Sequence, residues 1–184
     1  MTVAAIDPGL SGGICLSDNS LHPMPTTTVV DKPARYTLAL LNGKKQYYKS
    51  GPNKGQPKYK LHTPAKTHRE LDTIAIHQLL TNHTHLIIET PGISRGNSAR
   101  TTATTNRNYG KLLAIAELLQ LQTITVAPHK WKSDLNLSKD KQLSLDLASS
   151  LLSRQFKSTE DGIAEAFLIK HWYLTKEQHD ESNN

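Results

Sequence analysis

The chain has 184 residues, of which 36% are hydrophobic, and these values fit one folded domain and exclude collagen-like, repetitive and wholly disordered classes. The single cysteine, Cys15, excludes a disulfide framework, and no apolar run reaches the roughly 18 residues that span a bilayer. The net charge of +6 favours an acidic partner such as nucleic acid. With no signal-peptide pattern at the start, we expect a cytoplasmic protein, in the host cytoplasm if its origin is viral, and no membrane partner.

The first elements are short strands joined by a glycine-rich turn. In the stretch VAAIDPGLSGGICLS, residues 2–6 and 12–17 are predicted strands, and Asp7 ends the first of them. A third strand is expected over about 20–30. Because Pro23 and Pro25 cannot donate to a ladder, this third strand belongs at a sheet edge.

A basic insertion follows, at about residues 43–66. No acidic residue lies between Asp31 and Glu70, whereas ten lysines and arginines do, and four of the six tyrosines are interleaved with them. Glycines and prolines there indicate a solvated, flexible loop, and the charge with the aromatic rings indicates a mobile arm that orders on nucleic acid; both can hold. The candidate DNA contacts in this insertion are Lys44, Lys45, Lys49, Lys54, Lys58 and Lys60.

The remainder alternates between helices and strands, which predicts an α/β fold with a mixed sheet. The predicted elements are a helix over 67–82 capped by Thr67, a strand over 85–89, a helix over 109–121, a strand over 123–128, a helix over 138–152 capped by Ser138 and a helix over 159–174 capped by Thr159. We expect one domain over 1–175 and a polar tail, fraying, over 176–184.

Four carboxylates stand in apolar contexts. Asp7 and Glu89 each end a buried strand, and Asp161 and Glu165 lie one turn apart on one face of the last helix. Each has an ordinary structural explanation, such as a turn residue for Asp7 or a first-turn acid for Asp161. Buried carboxylates are costly unless they are paired or bind a metal, so the four together predict a cation site.

Further basic residues accompany this group. From Thr90 to Ala116 no acid occurs, and PHKWK begins at Pro128, the last residue of the predicted strand 123–128. These segments can contact a DNA strand, although a solvated loop explains any one arginine equally well, and Trp131 is more typical of a core. The candidates are Arg95, Arg100, Arg107, Lys111, Lys130 and Lys132, with Lys141 as a weaker one.

The order of these motifs resembles the RuvC-type Holliday junction resolvases, especially the compact phage and prophage versions. The resemblance rests on Asp-Pro-Gly after the first strand, the strand ending at Glu89, VAPHKWKSDLNLSKDKQ and DGIAEAFLI, and it covers residues 3–17, 84–113 and 124–172. It implies a ribonuclease H-like fold with a mixed central sheet flanked by helices. It also implies crossover junction endodeoxyribonuclease activity.

The resemblance further implies catalytic metal ligands at Asp7, Glu89, Asp161 and Glu165. They would bind Mg²⁺, with Mn²⁺ as a substitute, two ions per site, and act on branched DNA as a homodimer with no nucleotide. Glu160 precedes Asp161, and the sequence does not decide which of them binds metal.

Two other classes of function stay open. A non-catalytic branched-DNA-binding module explains the basic insertion but not the four acids. An actin-like or ribonuclease H-like ATPase needs a second phosphate loop and a longer chain.

Overall fold

A computed structural model describes residues 1–41, 44–92, 98–138 and 140–182. The chain divides into two compact units: a sheet unit, formed by Met1–Thr26 and Leu71–Asn184, and a basic unit, Thr27–Glu70. None of the helices in the described ranges is both long and apolar enough to cross a membrane. The basic unit contains the predicted insertion.

Eleven strands and five helices are present in the described residues. In chain order they are β1 (Val3–Asp7), β2 (Gly13–Cys15), β3 (Leu21–Pro23), β4 (Thr26–Lys32), β5 (Arg35–Leu38), β6 (Leu40–Leu41), β7 (Lys44–Lys45), β8 (Tyr59–Thr63), β9 (Lys66–Leu71), α1 (Thr73–Leu80), β10 (His85–Glu89), α2 (Ala99–Leu118), β11 (Gln122–Val126), α3 (Pro128–Asp134), α4 (Lys141–Leu152) and α5 (Asp161–Ser182).

The sheet unit is built on one five-stranded sheet in the order β11-β10-β1-β2-β3. β10 is parallel to both β1 and β11, whereas β2 is antiparallel to β1 and to β3. The predicted mixed sheet is therefore confirmed. β3, which ends at Pro23, lies at the predicted edge, but the predicted strand over about 20–30 is divided, because residues 26–30 belong to β4, which pairs with β9.

Apolar side chains alternate across this sheet and cover both faces. Val3 and Ala5 of β1 pack into a cluster with buried residues of α3, α4 and α5, while Ala4 and Ile6 pack into a second cluster with α1 and α2. The sheet unit thus has three layers. Helices flank the central sheet on both sides, as in the ribonuclease H-like fold that the resemblance implies.

The predicted helix over 67–82 is wrong over residues 67–72. Residues 66–71 form β9, which pairs with β4, and α1 begins only after Asp72. The Asp72 carboxylate accepts a hydrogen bond from the N–H of Ala75 at 3.0 Å, so Asp72 is the cap rather than Thr67. Strand pairing supplied by a distant segment overrides the helical spacing of Leu71 and Ile74.

Other boundaries also differ from the prediction. α4 is capped by Asp140 and not by Ser138, and α3 forms where no helix was predicted. α2 begins ten residues before the predicted position, with Ser98 accepting from the N–H of Thr101 at 3.1 Å. α5 continues to Ser182, so residues 176–182 are helical where a fraying tail was expected.

The basic unit consists of short two-stranded ladders, β4-β9, β5-β8 and β6-β7. Regular strands therefore form within a segment predicted to be a loop. Gly51 and Gly55 have φ angles of 79° and 83°, and the turns they form lie between β7 and β8. At the β4-β9 end, the His68 ring nitrogens lie 2.9 Å from Asp31 Oδ1 and 3.0 Å from Glu70 Oε1.

Candidate active site

Asp7 and Glu89 occupy equivalent ends of two neighbouring parallel strands. β1 and β10 pair in a register that places Ile6 opposite Ile88, so the next residue of each strand is a carboxylate. Side chains two residues apart share a face, and Ala5 and Ile87 belong to the cluster covered by α3, α4 and α5. Both carboxylates are thus directed to the face of the sheet that α5 covers.

The glycines around the first turn allow α5 to approach this edge. Gly12 and Gly162 form a backbone bridge, and a Cβ atom on Gly162 would lie 2.4 Å from the carbonyl oxygen of Ser11. A Cβ atom on Gly13 would lie 2.6 Å from Ile163 Cα. Only hydrogen atoms fit there. The first turn of α5, which carries Asp161, therefore lies directly against the turn that follows Asp7.

The four carboxylates interact electrostatically. Burial, followed by the charges of Glu89 and Glu165 and to a lesser extent Asp161, raises the pKa of Asp7 from 3.8 to about 7, against a hydrogen bond from the Gly9 N–H. Burial also raises the pKa of Glu89 from 4.5 to about 7, with the Glu165 charge adding to it. The structure therefore brings together the four acids that the sequence analysis singled out.

Two lysines hold the two acids of α5. Lys132 Nζ lies 2.7 Å from Glu165 Oε1, and Ser144 Oγ is 3.4 Å from the same oxygen. Lys141 Nζ donates to Asp161 Oδ2. The hydrogen bond to Asp161 raises the pKa of Lys141, and the charges of Glu165 and Asp7 contribute to this shift. Lys141, the weaker sequence candidate, thus belongs to the site, and Lys132 contacts a carboxylate.

Glu160 is held away from this group by other partners. Arg154 Nη2 donates to Glu160 Oε1 at 2.7 Å, and the N–H of Lys157 donates to Glu160 Oε2 at 2.8 Å. Asp161, by contrast, pairs with Lys141 and acts on the pKa of Asp7. These contacts favour Asp161 over Glu160 as the site residue.

Trp131 is a site residue that the sequence analysis treated only as core. Its ring is fully buried, and its indole N–H donates to Glu89 Oε2 at 2.6 Å. This hydrogen bond opposes the rise in the pKa of Glu89. A buried indole N–H needs a hydrogen-bond acceptor, and this requirement could have indicated from the sequence that Trp131 contacts a polar group.

The other predicted DNA contacts on the sheet unit are distributed along α2 and α3. Arg100 lines a cavity of about 370 Å³ together with Pro8, Gly9, Leu10, Thr101, Thr104, Thr105 and Asn108. Arg107 and Lys111 lie further along α2, and Lys130 Nζ pairs with Asp134 Oδ1 at 2.9 Å. Arg95 lies outside the described residues. One residue that lines this cavity, Pro8, directly follows Asp7 in the sequence.

The donor set of this site has the chemistry of a hard cation site. All four side chains supply carboxylate oxygens, which Mg²⁺ prefers, and the pKa values of Asp7 and Glu89 near 7 reflect buried negative charge that a cation would relieve. As placed here, no three Asp, Glu, His or Cys side chains within the described ranges lie close enough to hold one ion. In this arrangement, Lys132 and Lys141 contact Glu165 and Asp161.

The lysines of the predicted insertion all lie in the basic unit. Lys44 and Lys45 form β7, Lys60 lies in β8, and Lys58 Nζ is 5.3 Å from the centre of the Tyr48 ring. Lys49 and Lys54 fall between β7 and β8.

No protein-family model matches the sequence, and no curated protein matches it. Among solved structures, the chain is similar to Thermus thermophilus RuvC, with a TM-score of 0.52 and 15% sequence identity over 96% of each chain. It is similar to T. thermophilus RuvC in complex with a Holliday junction substrate, with a TM-score of 0.53 and 14% identity over 96% of each chain. The chain therefore has the fold of RuvC, a ribonuclease H-like α/β fold.

Proposed function

We propose that the protein is a metal-dependent DNA endonuclease that resolves Holliday junctions, and other branched DNA, by paired phosphodiester hydrolysis. The observation that carries the proposal is the group of four carboxylates on a RuvC fold, in which Asp7 and Glu89 have pKa values of about 7. Burying several carboxylates beside one another destabilises the fold, and carboxylates with strongly raised pKa values are typical of a functional site.

In this proposal Asp7, Glu89, Asp161 and Glu165 hold Mg²⁺, or Mn²⁺ in its place. When bound, such ions activate water and stabilise the leaving oxygen of a phosphodiester. The chain's own contribution is to position the ligands. Trp131 fixes one oxygen of Glu89, while Lys132 and Lys141 donate hydrogen bonds to Glu165 and Asp161.

Charge and structural likeness support DNA as the substrate. The basic unit carries ten lysines and arginines against two acids, and such a surface neutralises phosphates. One of the similar solved structures is a RuvC bound to a Holliday junction. We propose the same substrate class here, cut by a homodimer, because a four-way junction must be cut on two strands and one chain supplies one site.

The test compares cleavage of a labelled four-way junction with cleavage of a linear duplex of the same sequence, with and without Mg²⁺. We expect Mg²⁺-dependent cleavage of the junction, and loss of cleavage with retained binding in Asp7→Asn, Glu89→Gln and Asp161→Asn. Each substitution removes a ligand charge and leaves the basic surface intact. Glu117→Gln, an exposed acid of α2, is the matched control and should cleave normally.

Each outcome separates the alternatives. If one of these three variants cleaves at the wild-type rate, the substituted residue is not a metal ligand. Junction binding without cleavage in either metal would instead indicate a binding module. Binding of a fluorescent ATP analogue, with no cleavage, would indicate an ATPase.

A further inference from the structure

The basic unit contains a cavity ringed by tyrosines. It has a volume of about 500 Å³ and is lined by Tyr36, Tyr48, Asn53, Gln56, Pro57 and Tyr59. The three rings are 62%, 40% and 57% exposed, respectively. The volume falls within the range of about 300–1,000 Å³ of small-molecule sites. This concave aromatic surface takes no part in the carboxylate site described above.

The backbone of the basic unit places these rings together. In the β5-β8 ladder, Tyr36 is opposite Leu61, which is two residues from Tyr59, so the two tyrosines share a face of the ladder. The backbone of Tyr48 exchanges hydrogen bonds with the loop that precedes β8, through Tyr48 N to Gln56 O at 3.0 Å and Gly55 N to Tyr48 O at 2.9 Å. All three tyrosines therefore belong to backbone segments that are hydrogen-bonded to a neighbouring segment.

The charges around the cavity favour an anionic ligand. Lys58 Nζ lies 5.3 Å from the centre of the Tyr48 ring, and Lys49 and Lys54 are neighbours in sequence of the lining residues Tyr48 and Asn53. None of the six lining residues is acidic. The two acids of the basic unit, Asp31 and Glu70, lie in the β4-β9 ladder, within 3.0 Å of His68.

We infer that this cavity binds an unstacked nucleobase of a DNA strand, an inference that rests on the proposed function. Tyrosine rings offer stacking faces, the amides of Asn53 and Gln56 can hydrogen-bond base edges, and the lysines neutralise the flanking phosphates. Bases within a duplex expose only their edges, so a ring-lined cavity selects a base that has left the stack. The basic unit thus reads unpaired nucleotides, such as those where a branched DNA has opened.

The experiment measures binding of a fluorescent single-stranded oligothymidine to the full-length protein in the Asp7→Asn background, which prevents cleavage. Tyr36→Ala with Tyr59→Ala should weaken binding by about 5- to 150-fold, the range for loss of one stacked base. Tyr36→Phe with Tyr59→Phe should retain binding because the rings remain. Tyr47→Ala removes a 48% exposed tyrosine of the same unit that does not line the cavity, and should have no effect.

Two further measurements distinguish stacking from charge. An oligonucleotide with abasic sites keeps every phosphate, so it should bind the wild type as weakly as the normal strand binds the alanine variant. The alanine variant should also retain the slope of log K against log salt. Replacing Lys49, Lys54 and Lys58 by Gln should instead reduce that slope by roughly 0.7 for each phosphate that is no longer neutralised.

Several results would overturn the inference. Equal binding of the normal and abasic strands, or of wild type and alanine variant, would show that no base enters the cavity. Tyrosine-dependent binding of a polyproline peptide without any base dependence would assign the cavity to a protein partner. If the protein cleaves junctions but the tyrosine variant binds the oligonucleotide as the wild type does, this inference is wrong and the proposed function stands. If the tyrosine variant binds more weakly but no metal supports cleavage, the proposed function is wrong and this inference stands.

Discussion

Asp7 is the residue at which stability and proposed function conflict most directly. β1 places its carboxylate beneath α5, where burial and three other carboxylates raise its pKa to about 7. Asp161 and Glu165 have lysine partners in the same site. An ionised Asp7 therefore costs the metal-free fold free energy at neutral pH, and a bound cation would recover it.

We expect Asp7→Asn to stabilise the metal-free protein at pH 8. The pKa is about 7 in the folded chain against 3.8 ordinarily, so ionisation between these pH values penalises the folded state. The gain is at most about 4 kcal/mol, and it should vanish below about pH 3, where wild-type Asp7 is protonated in both states. Urea unfolding with EDTA from about pH 3 to pH 8 measures it. Equal stability at pH 8 would contradict the raised pKa.

Trp131→Phe should shift the pH dependence of cleavage. The indole hydrogen bond lowers the pKa of Glu89, so its loss raises that pKa and moves the acidic limb of the rate profile upward by about one to two pH units. Trp172→Phe is the control, because Trp172 donates to Asp134 Oδ2 at 2.8 Å, outside the carboxylate group. Identical profiles for the two variants would separate Trp131 from the chemistry.

At the scale of elements, the packing of α5 on the first turn determines where Asp161 lies. Gly162 has backbone of Ser11 and Gly12 within 2.5 Å of the position its Cβ atom would occupy, whereas the corresponding position at Gly110 in α2 is open. The two glycines are both helical. The turn that contains Ser11 and Gly12 packs against Gly162, whereas, among the described residues, no heavy atom beyond the neighbouring residues of α2 lies within 4 Å of the corresponding position at Gly110.

Gly162→Ala should therefore destabilise the protein and reduce cleavage, whereas Gly110→Ala should raise the free energy of unfolding by about 0.5–1 kcal/mol. Overpacking at Gly162 typically costs about 1–3 kcal/mol, and relief requires α5 to move away from Asp7. Thermal unfolding and junction cleavage of both variants measure the difference. A fully active, stable Gly162→Ala protein would show that this contact is not close.

The elements also show what a sequence can predict. Glu89 was placed correctly, because a short apolar run that contains two β-branched residues and ends at a charge is typical of a buried strand. The segment 67–71 was misplaced as helix, because its strand partner, β4, lies more than thirty residues earlier and no local pattern reveals the pairing. The partners of Glu89 and Glu165, Trp131 and Lys132, depend on tertiary packing in the same way. The sequence pattern identified the four acids, but it did not identify the side chains that form hydrogen bonds with them.

At the scale of the whole molecule, the proposed homodimer needs a surface. Most large apolar residues of α1 and α2 are buried in the chain's own core or packed against it. Among the large apolar side chains of these two helices, Ile74 and Leu118 are the exposed ones, at 72% and 77%. These two side chains make α1 and α2 the first place to test for an isologous contact.

We expect sedimentation at micromolar concentration to show a dimer, with and without junction DNA, and Ile74→Asp with Leu118→Asp to shift it toward monomer. Leu151→Asp, at a 43% exposed position of α4, is the control and should leave the dimer intact. A chain that stays monomeric and binds the junction singly would defeat the dimer and leave an enzyme that nicks one strand.

The chain leaves the sheet unit and returns to it at a single place. The N–H of Asp72 donates to the carbonyl oxygen of Pro25 at 3.0 Å, so the ends flanking the basic unit are joined by a hydrogen bond. Closing a loop between fixed ends costs only about 0.6 kcal/mol more for each doubling of its length. The intervening segment can thus be exchanged as a cassette, and substrate preference can evolve there while the register of the carboxylate-bearing strands stays unchanged.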